Sequence, residues 1–427
     1  MIMTKKINSI LEEVLNKIEP SKQELDLIND SLKKFIERIE KRIKILKINA
    51  EIFVGGSFAK KTVIKKGIYD VDVFVRFDKK YRDEEISRLA ERLLKNIKGV
   101  SEVHGSRDYF RIKMGPYFFI EVIPVTKIAK SSEARNITDL SYSHVKYINR
   151  KVKNKKVLDD IRIAKAFCHA NNCYGAESYI NGFSGYGLEL LIYYYGSFLK
   201  FIRAVVKIKD KTIIDIEKHY KNKPTVLIDM NSSKLDSPII LVDPTHKQRN
   251  VLAALSEETF EKFRKDCKKF LKTPSIKSFE VKKTDLEKIQ KNAKKKKYEF
   301  ILMEVKTNKQ EGDVAGSKLL KFYKHLDYEI KKFFDIKNKG FNYNQGKAAR
   351  YFFVVKNKKD ILIQGPTIKD KKNISAFKKK HKNTFIKSKR IYAKEKIRFN
   401  LKDFIESWKK KNKKKVKEMY VKGFEVI

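Results

Sequence analysis

The chain is short of acid. It sets 52 Asp and Glu against 99 Lys and Arg, a formal net charge of +47. It is also short of cysteine: Cys168, Cys173 and Cys267 make an odd set with no C-x-x-C pair. That excludes a disulfide framework and a zinc finger, and points to a reduced, cytoplasmic setting. No apolar run approaches the roughly 18 residues of a membrane-spanning helix. The opening MIMTKKINSILEEVLNKIEP has acids within its apolar pattern and no small-residue cleavage site, unlike a signal peptide. There is no internal repeat and no long low-complexity linker. Disorder is excluded by what is present, 41% hydrophobic and 11% aromatic residues. A chain of 427 residues divides into about two to four domains.

Part of the charge is the solvated lysine of a Lys-, Ile- and Asn-rich composition. A field this large still draws in polyanions, of which RNA and DNA are the commonest. A membrane surface fits less well, since no basic amphipathic segment stands alone with Trp and Phe on its other face.

Along the chain, the first forty-odd residues read as helix, with a capping box at Ser21 and Glu24. AEIFV (50–54) reads as a strand running into Gly55-Gly56-Ser57, followed by a short helix over 58–64. Residues 69–77 alternate as a strand, 83–96 form an amphipathic helix, and strands follow near 100–104, 107–114 and 117–125. Residues 155–172, 186–206 and 256–271 read as helices, with a loop-rich insertion at 207–240. Apolar strands return at 298–305, 349–355 and 359–365, flanked by the lysine runs KNAKKKKY and KKKNKKKVK. The fold class is α+β and multidomain.

The segment GGSFAKKTVIKKGIYDVDVFV carries the chemistry. Asp70 and Asp72 leave one face of a strand while Val71, Val73 and Val75 take the other. Two carboxylates this close need a cation between them. Glu121 interrupts the apolar run YFFIEVIPV and supplies a third acid. An oxygen-only set favours magnesium or manganese over zinc. A pair of such ions about 3.5–4 Å apart would clamp the attacking and leaving oxygens of an in-line displacement. The Gly55-Gly56-Ser57 turn offers N–H groups and a hydroxyl to phosphate, with Lys60 and Lys61 adding charge. D-x-D alone occurs often by chance.

A Gly-Ser turn, D-x-D on the next strand and one acid on a later strand resemble the nucleotidyltransferase superfamily that includes DNA polymerase β. SYSHVKYI (141–148), LDDIRIAKAFCHANNCYGAESYINGFSGYGLELLIYYYGSF (158–198), ILVDPTHKQRNVLAAL (240–255) and ILIQGPTIKDKKNISAFKKKHKNTFIKSKRIYA (361–393) extend the likeness, in order, over nearly the whole chain. Together they resemble the archaeal class I CCA-adding tRNA nucleotidyltransferases. The resemblance implies a catalytic head (1–138), a mainly helical neck (139–272) and an α+β body and tail (273–427). It implies catalytic and metal-binding roles for Asp70, Asp72 and Glu121, with Mg²⁺, or Mn²⁺, as cofactor. It implies ATP/CTP-binding roles for Ser57, Lys60, His144, Lys165, Tyr174 and Arg249, the last offering donors to C and A. Lys60 stands where the family usually has arginine and Glu121 where it commonly has aspartate. Taken without the family, His144, Lys165 and Tyr174 read as a surface histidine, a solvated lysine and a core aromatic. Gly182 to Tyr186 reads as a helix start, and Phe377, Phe385 and Tyr392 as packing.

The implied reaction is template-independent addition of C, C and A to the 3′ end of tRNA from CTP and ATP, releasing pyrophosphate. The basic C-terminal half would hold tRNA by its phosphates. No membrane is involved, and a homodimer is compatible with the sequence. Two other readings stand beside this one. One is a related RNA nucleotidyltransferase such as a poly(A) polymerase or oligonucleotide synthase; the other is a tRNA-binding homologue weakened in catalysis.

Overall fold

The structure, a computed structural model, describes residues 2–427 apart from Lys66, Ser106, Pro116 and Lys283. The residues up to Lys282 form one compact unit and those beyond it a second. Mixed sheets and many helices make the chain an α+β multidomain protein. Among the described residues, no helix is long and apolar enough to cross a membrane.

The first unit opens with α1 (Ile2–Ile18) and α2 (Lys22–Ile45), the latter started by the Ser21–Glu24 capping box. Then come β1 (Ala50–Val54), α3 (Gly56–Ala59), β2 (Tyr69–Phe77), α4 (Asp83–Leu94), β3 (Val100–Val103), β4 (Tyr109–Lys113) and β5 (Phe118–Thr126). Their sheet runs in the order β1-β2-β5-β4-β3. β2 and β5 pair in parallel at its centre; the other neighbours are antiparallel. Alternation explains that placement. Val71, Val73, Val75, Ile120 and Val122 are essentially fully buried on one face. They pack with Ile28, Phe35 and Ile39 of α2 and Ile86 and Leu93 of α4, each such side chain contributing about 1.5–3 kcal/mol. The opposite face is left for the acids. The helix expected over 58–64 is shorter and earlier: it stops at Ala59, because Lys61 takes φ 55° and the Thr62 N–H turns back to the Ser57 carbonyl.

Asp139 fixes the far end of β5. Its carboxylate accepts from Arg107 Nη1 (2.6 Å) and from the N–H groups of Thr126, Arg135 and Asn136. Asp139→Asn keeps an acceptor and removes the charge. It is expected to cost about 2 kcal/mol by urea unfolding, the loss being limited because Asp83 still pairs with Arg107.

Helices follow: α5 (Ser141–Lys151), α6 (Lys155–Ala170), α7 (Gly185–Tyr195), α8 (Phe198–Lys207), and later α9 (Lys223–Asp229) and α10 (Glu257–Lys272). The single helix expected over 186–206 is two. Gly196 takes the left-handed conformation (φ 79°), and Ser197 caps the next helix through the Lys200 N–H. Phe167, Phe183, Phe198, Phe201, Phe263 and Phe270 fill the core, with all three cysteines buried among them. The insertion at 207–240 holds β6 (Thr212–Asp215), which joins β7 (Ile239–Asp243) and β8 (His246–Asn250) in a small sheet.

The second unit comprises α11 (Leu286–Lys295), β9 (Glu299–Thr307), α12 (Asp313–Lys331), β10 (Phe334–Tyr343), β11 (Ala348–Asn357), β12 (Asp360–Thr367), α13 (Lys371–Lys380), β13 (Thr384–Lys387), β14 (Arg390–Lys396), α14 (Leu401–Lys411), α15 (Lys413–Glu418) and β15 (Val421–Val426). Its sheets run β10-β11-β9-β15 and β12-β14-β13. Phe322 of α12 and Trp408 of α14 pack on Tyr351 and Phe353 of the larger sheet.

Candidate active site

Asp72 on β2 stands directly opposite Glu121 on β5, and Asp70 opposite Phe119. The period of a strand therefore brings Asp70, Asp72 and Glu121 to one face, as the sequence implied. β4 adds a residue that sequence reasoning missed. Arg111 is in register with Glu121; its Nη2 donates to Asp70 Oδ1 at 2.6 Å, and its Nε lies 3.4 Å from Glu121 Oε1. Tyr109, two residues earlier on β4, has its phenol pushed up to about 12 by burial and by these carboxylates.

Gly56 shapes the floor of this face. It has φ +61°, and a Cβ there would lie 1.6 Å from Asp72 Oδ2. The Gly55 N–H donates to the Asp72 carbonyl at 2.8 Å, so turn and strand are held together. Gly56→Ala is expected to push the Asp72 carboxylate aside by more than about 1 Å and lower turnover at least about 10²-fold, read by single-turnover nucleotide incorporation. Ser57 is half-buried in the same turn. Three carboxylates, no softer ligand and a turn admitting only glycine fit a divalent metal.

Lys60 and Lys165 are not solvated. Both reach Glu189 of α7, which is fully buried. Lys60 Nζ donates to Glu189 Oε2 at 2.6 Å and Lys165 Nζ to Oε1 at 2.8 Å. Lys165 also donates to Thr62 Oγ1 (2.7 Å), and the Thr62 hydroxyl donates on to Glu189 Oε1 (2.8 Å). Burial alone would raise the Glu189 carboxyl; the two ammoniums outweigh it and hold it at about 2. Two further bonds pin the turn to the helices, from Asn149 to the Ala59 carbonyl and from Arg162 to the Lys61 carbonyl.

His144 and Arg249 converge on a second buried acid. His144 Nε2 lies 3.0 Å from Asp243 Oδ2, and Arg249 Nη1 donates to the same oxygen at 2.7 Å. The His144 ring stacks on Tyr186 at 4.1 Å. Burial lowers its pKa more than Asp243 raises it, which favours the neutral imidazole. Asp243 is driven well below the usual carboxylate range: burial opposes this, but His144, Arg249 and the Thr245 N–H outweigh it. Tyr174 stacks on His169 at 3.9 Å, and its phenol is raised by burial and then by Glu189. Ser184, within the segment read as a helix start, caps α7 through the Gly187 N–H.

The structure thus gathers most of the implied residues into three groups, the carboxylate face, the Glu189 pair and the Asp243 pair, and leaves Tyr174 outside them, stacked on His169. Lys60 links the last two groups, its Nζ lying 5.7 Å from the Tyr186 ring centroid. Glu189 and Asp243 went unnoticed although each is a lone acid in an apolar run, LELLIYYY and IILVD, the same signal that exposed Glu121.

Residues 32–137 match the nucleotidyltransferase domain family, and residues 159–280 match the second domain of tRNA nucleotidyltransferases. The CCA-adding enzyme of Methanocaldococcus jannaschii is 30% identical over 403 residues, covering 91% of this chain and 87% of that one. The chain belongs to the CCA-adding enzyme family. The CCA-adding enzyme of Nanoarchaeum equitans is 38% identical over 247 residues, and this match spans 59% of its length. Membership of the CCA-adding family makes the chain a nucleotidyltransferase, of a superfamily that generally works with divalent metal. Among solved structures, Cid1 poly(U) polymerase with Mg and 3′-dATP aligns with a TM-score of 0.51 at 14% identity, over 65% of this chain and 99% of that one. A cytoplasmic RNA terminal U-transferase aligns with a TM-score of 0.50, also at 14% identity and with the same coverage. At these identities the likeness shows the fold alone.

Proposed function

We propose that this chain adds C, C and A to the 3′ end of tRNA from CTP and ATP without a nucleic-acid template, in the cytoplasm. The observation that carries the reading is the in-register pair Asp72 and Glu121, with Asp70 on the same face, in a chain whose next domain matches tRNA nucleotidyltransferases. We assign residues 1–138 to a catalytic head, 139–272 to a nucleotide-binding neck and 273–427 to a tRNA-binding body and tail.

Asp70, Asp72 and Glu121 would hold Mg²⁺, whose chemistry at this face would be Lewis-acid activation of a 3′-hydroxyl and neutralisation of the charge on pyrophosphate. The chain's own residues set the stage. Gly55 and Gly56 let the turn approach Asp72 closely, leaving the Ser57 hydroxyl beside the phosphates. Lys60 and Lys165 against Glu189 leave one net positive charge, buried and fixed in direction, for the triphosphate. Asp243 holds the Arg249 guanidinium by one nitrogen, which frees its other donors for the base edge. His144, stacked on Tyr186, meets the same carboxylate oxygen as Arg249 and so helps to fix the acid that holds the arginine.

In the second unit a cavity of about 1040 Å³ is lined by Lys309, Lys409, Lys413, Lys417 and Lys422 beside Tyr420 and Phe424. Its lysines, which share the cavity with Glu406 and Glu425, offer positive charge to tRNA phosphates.

The test is incubation of the full chain with a tRNA transcript lacking CCA, labelled CTP and ATP, and Mg²⁺, with products resolved by length. Addition of three nucleotides that then halts supports the reading. A long homopolymer would move the assignment to a poly(A)-polymerase-like activity, and binding of tRNA without incorporation to a non-catalytic homologue.

A further inference from the structure

We propose that Arg111 is an internal counter-ion of the carboxylate face, a positioning residue that divalent metal must displace and that thereby sets the metal concentration at which the face fills. The inference rests on the reading of Asp70, Asp72 and Glu121 as the metal-binding set.

The three central strands carry a row of charges in register: Arg111 on β4, Glu121 on β5, Asp72 on β2. Arg111 spans the row diagonally to reach Asp70 Oδ1 at 2.6 Å, while its Nε stays within 3.4 Å of Glu121. Its guanidinium carbon lies 4.3 Å from the centre of the Phe119 ring, which gives the flat cation an apolar shelf. Among the described residues, the one group of three whose ligand atoms fall within 4.8 Å of one another is Glu102, His104 and Asp108 on the β3–β4 hairpin.

A carboxylate oxygen that accepts a charge-assisted bond has one lone pair committed to it, and a divalent ion nearby meets a like charge within about 4 Å. Metal and guanidinium therefore compete for Asp70. Arg111 is built to yield, because its side chain is 37% exposed. Arg107, in the connection that leads into β4, is built to stay: its side chain is 4% exposed and paired with both Asp83 and Asp139. A fixed structural arginine and a displaceable one thus lie four residues apart.

The test is Mn²⁺ titration of the full chain without nucleotide, with free Mn²⁺ read by its electron paramagnetic resonance signal. Folding of each variant is checked by thermal melting. Arg111→Gln and Arg111→Met remove the charge, and either one, if folded, suffices; each is expected to bind Mn²⁺ at least about five-fold more tightly than wild type. Arg111→Lys keeps the charge but loses the planar fork, and is expected to fall between wild type and the neutral variants. Unchanged or weaker binding in the neutral variants would overturn the proposal while leaving the metal face intact. Mn²⁺ binding that Asp72→Asn does not weaken would overturn the metal face, and this proposal with it.

Discussion

Asp72→Asn is expected to lower nucleotide incorporation on the order of 10³-fold, the scale on which a single electrostatic stabiliser of a charged transition state acts, while the folded chain remains as stable as wild type. The side chain keeps its shape against Gly56, and the backbone bond from Gly55 to the residue 72 carbonyl is untouched. What disappears is one of two carboxylates in register, whose mutual repulsion the fold otherwise bears. Primer extension on the tRNA transcript measures the first effect and thermal melting the second. A melting temperature reduced by more than a few degrees would mean that Asp72 supports the sheet rather than the chemistry.

Glu189→Gln acts in the opposite sense. It leaves the ammoniums of Lys60 and Lys165 inside the protein without a counter-charge, a change that costs about 3–5 kcal/mol and lowers the melting temperature of a unit this size by roughly 10 °C. The pH dependence follows from the depressed carboxyl. Glu189 holds its proton only below about 2 when folded, against 4.5 as its ordinary value. Its stabilisation is fully present above the unfolded value and is lost as pH falls from there through about 2. Urea unfolding of wild type from pH 7 down to pH 3 should show that decline, and the decline should be shallower in Glu189→Gln. Equal acid limbs in the two proteins would show that Glu189 is not the carboxylate responsible.

These two acids also mark how far the sequence alone could lead. The carboxylate face was legible because strand alternation is local: Val71, Val73 and Val75 declare one face, and Asp70 and Asp72 the other. Glu121 announced itself by breaking an apolar run. Glu189 breaks one too, but its meaning depends on Lys60, which meets it only in the folded chain. Arg111 was harder still. YFRIK reads as an ordinary alternating strand, and only the register of β4 against β5 places its guanidinium among the acids. Local chemistry was overridden in two further places. Lys61 turns the chain so that the expected helix ends at Ala59, and Gly196 splits a run whose periodicity looks continuous.

The parallel pairing of β2 with β5 also governs when the site comes into being. Asp72 and Glu121 are separated by roughly 50 residues, so their contact closes a long loop and forms after the local hairpins. β1 pairs with β2 next to it in sequence, and β3, β4 and β5 form a run of neighbours. The first piece arrives with the two aspartates. The second arrives with Glu121 already matched to Arg111 on its own strand pair, so it comes to the junction nearly neutral. The halves of the sheet therefore meet with an arginine facing an aspartate, which offsets part of the repulsion among the acids as the fold that holds them is assembled.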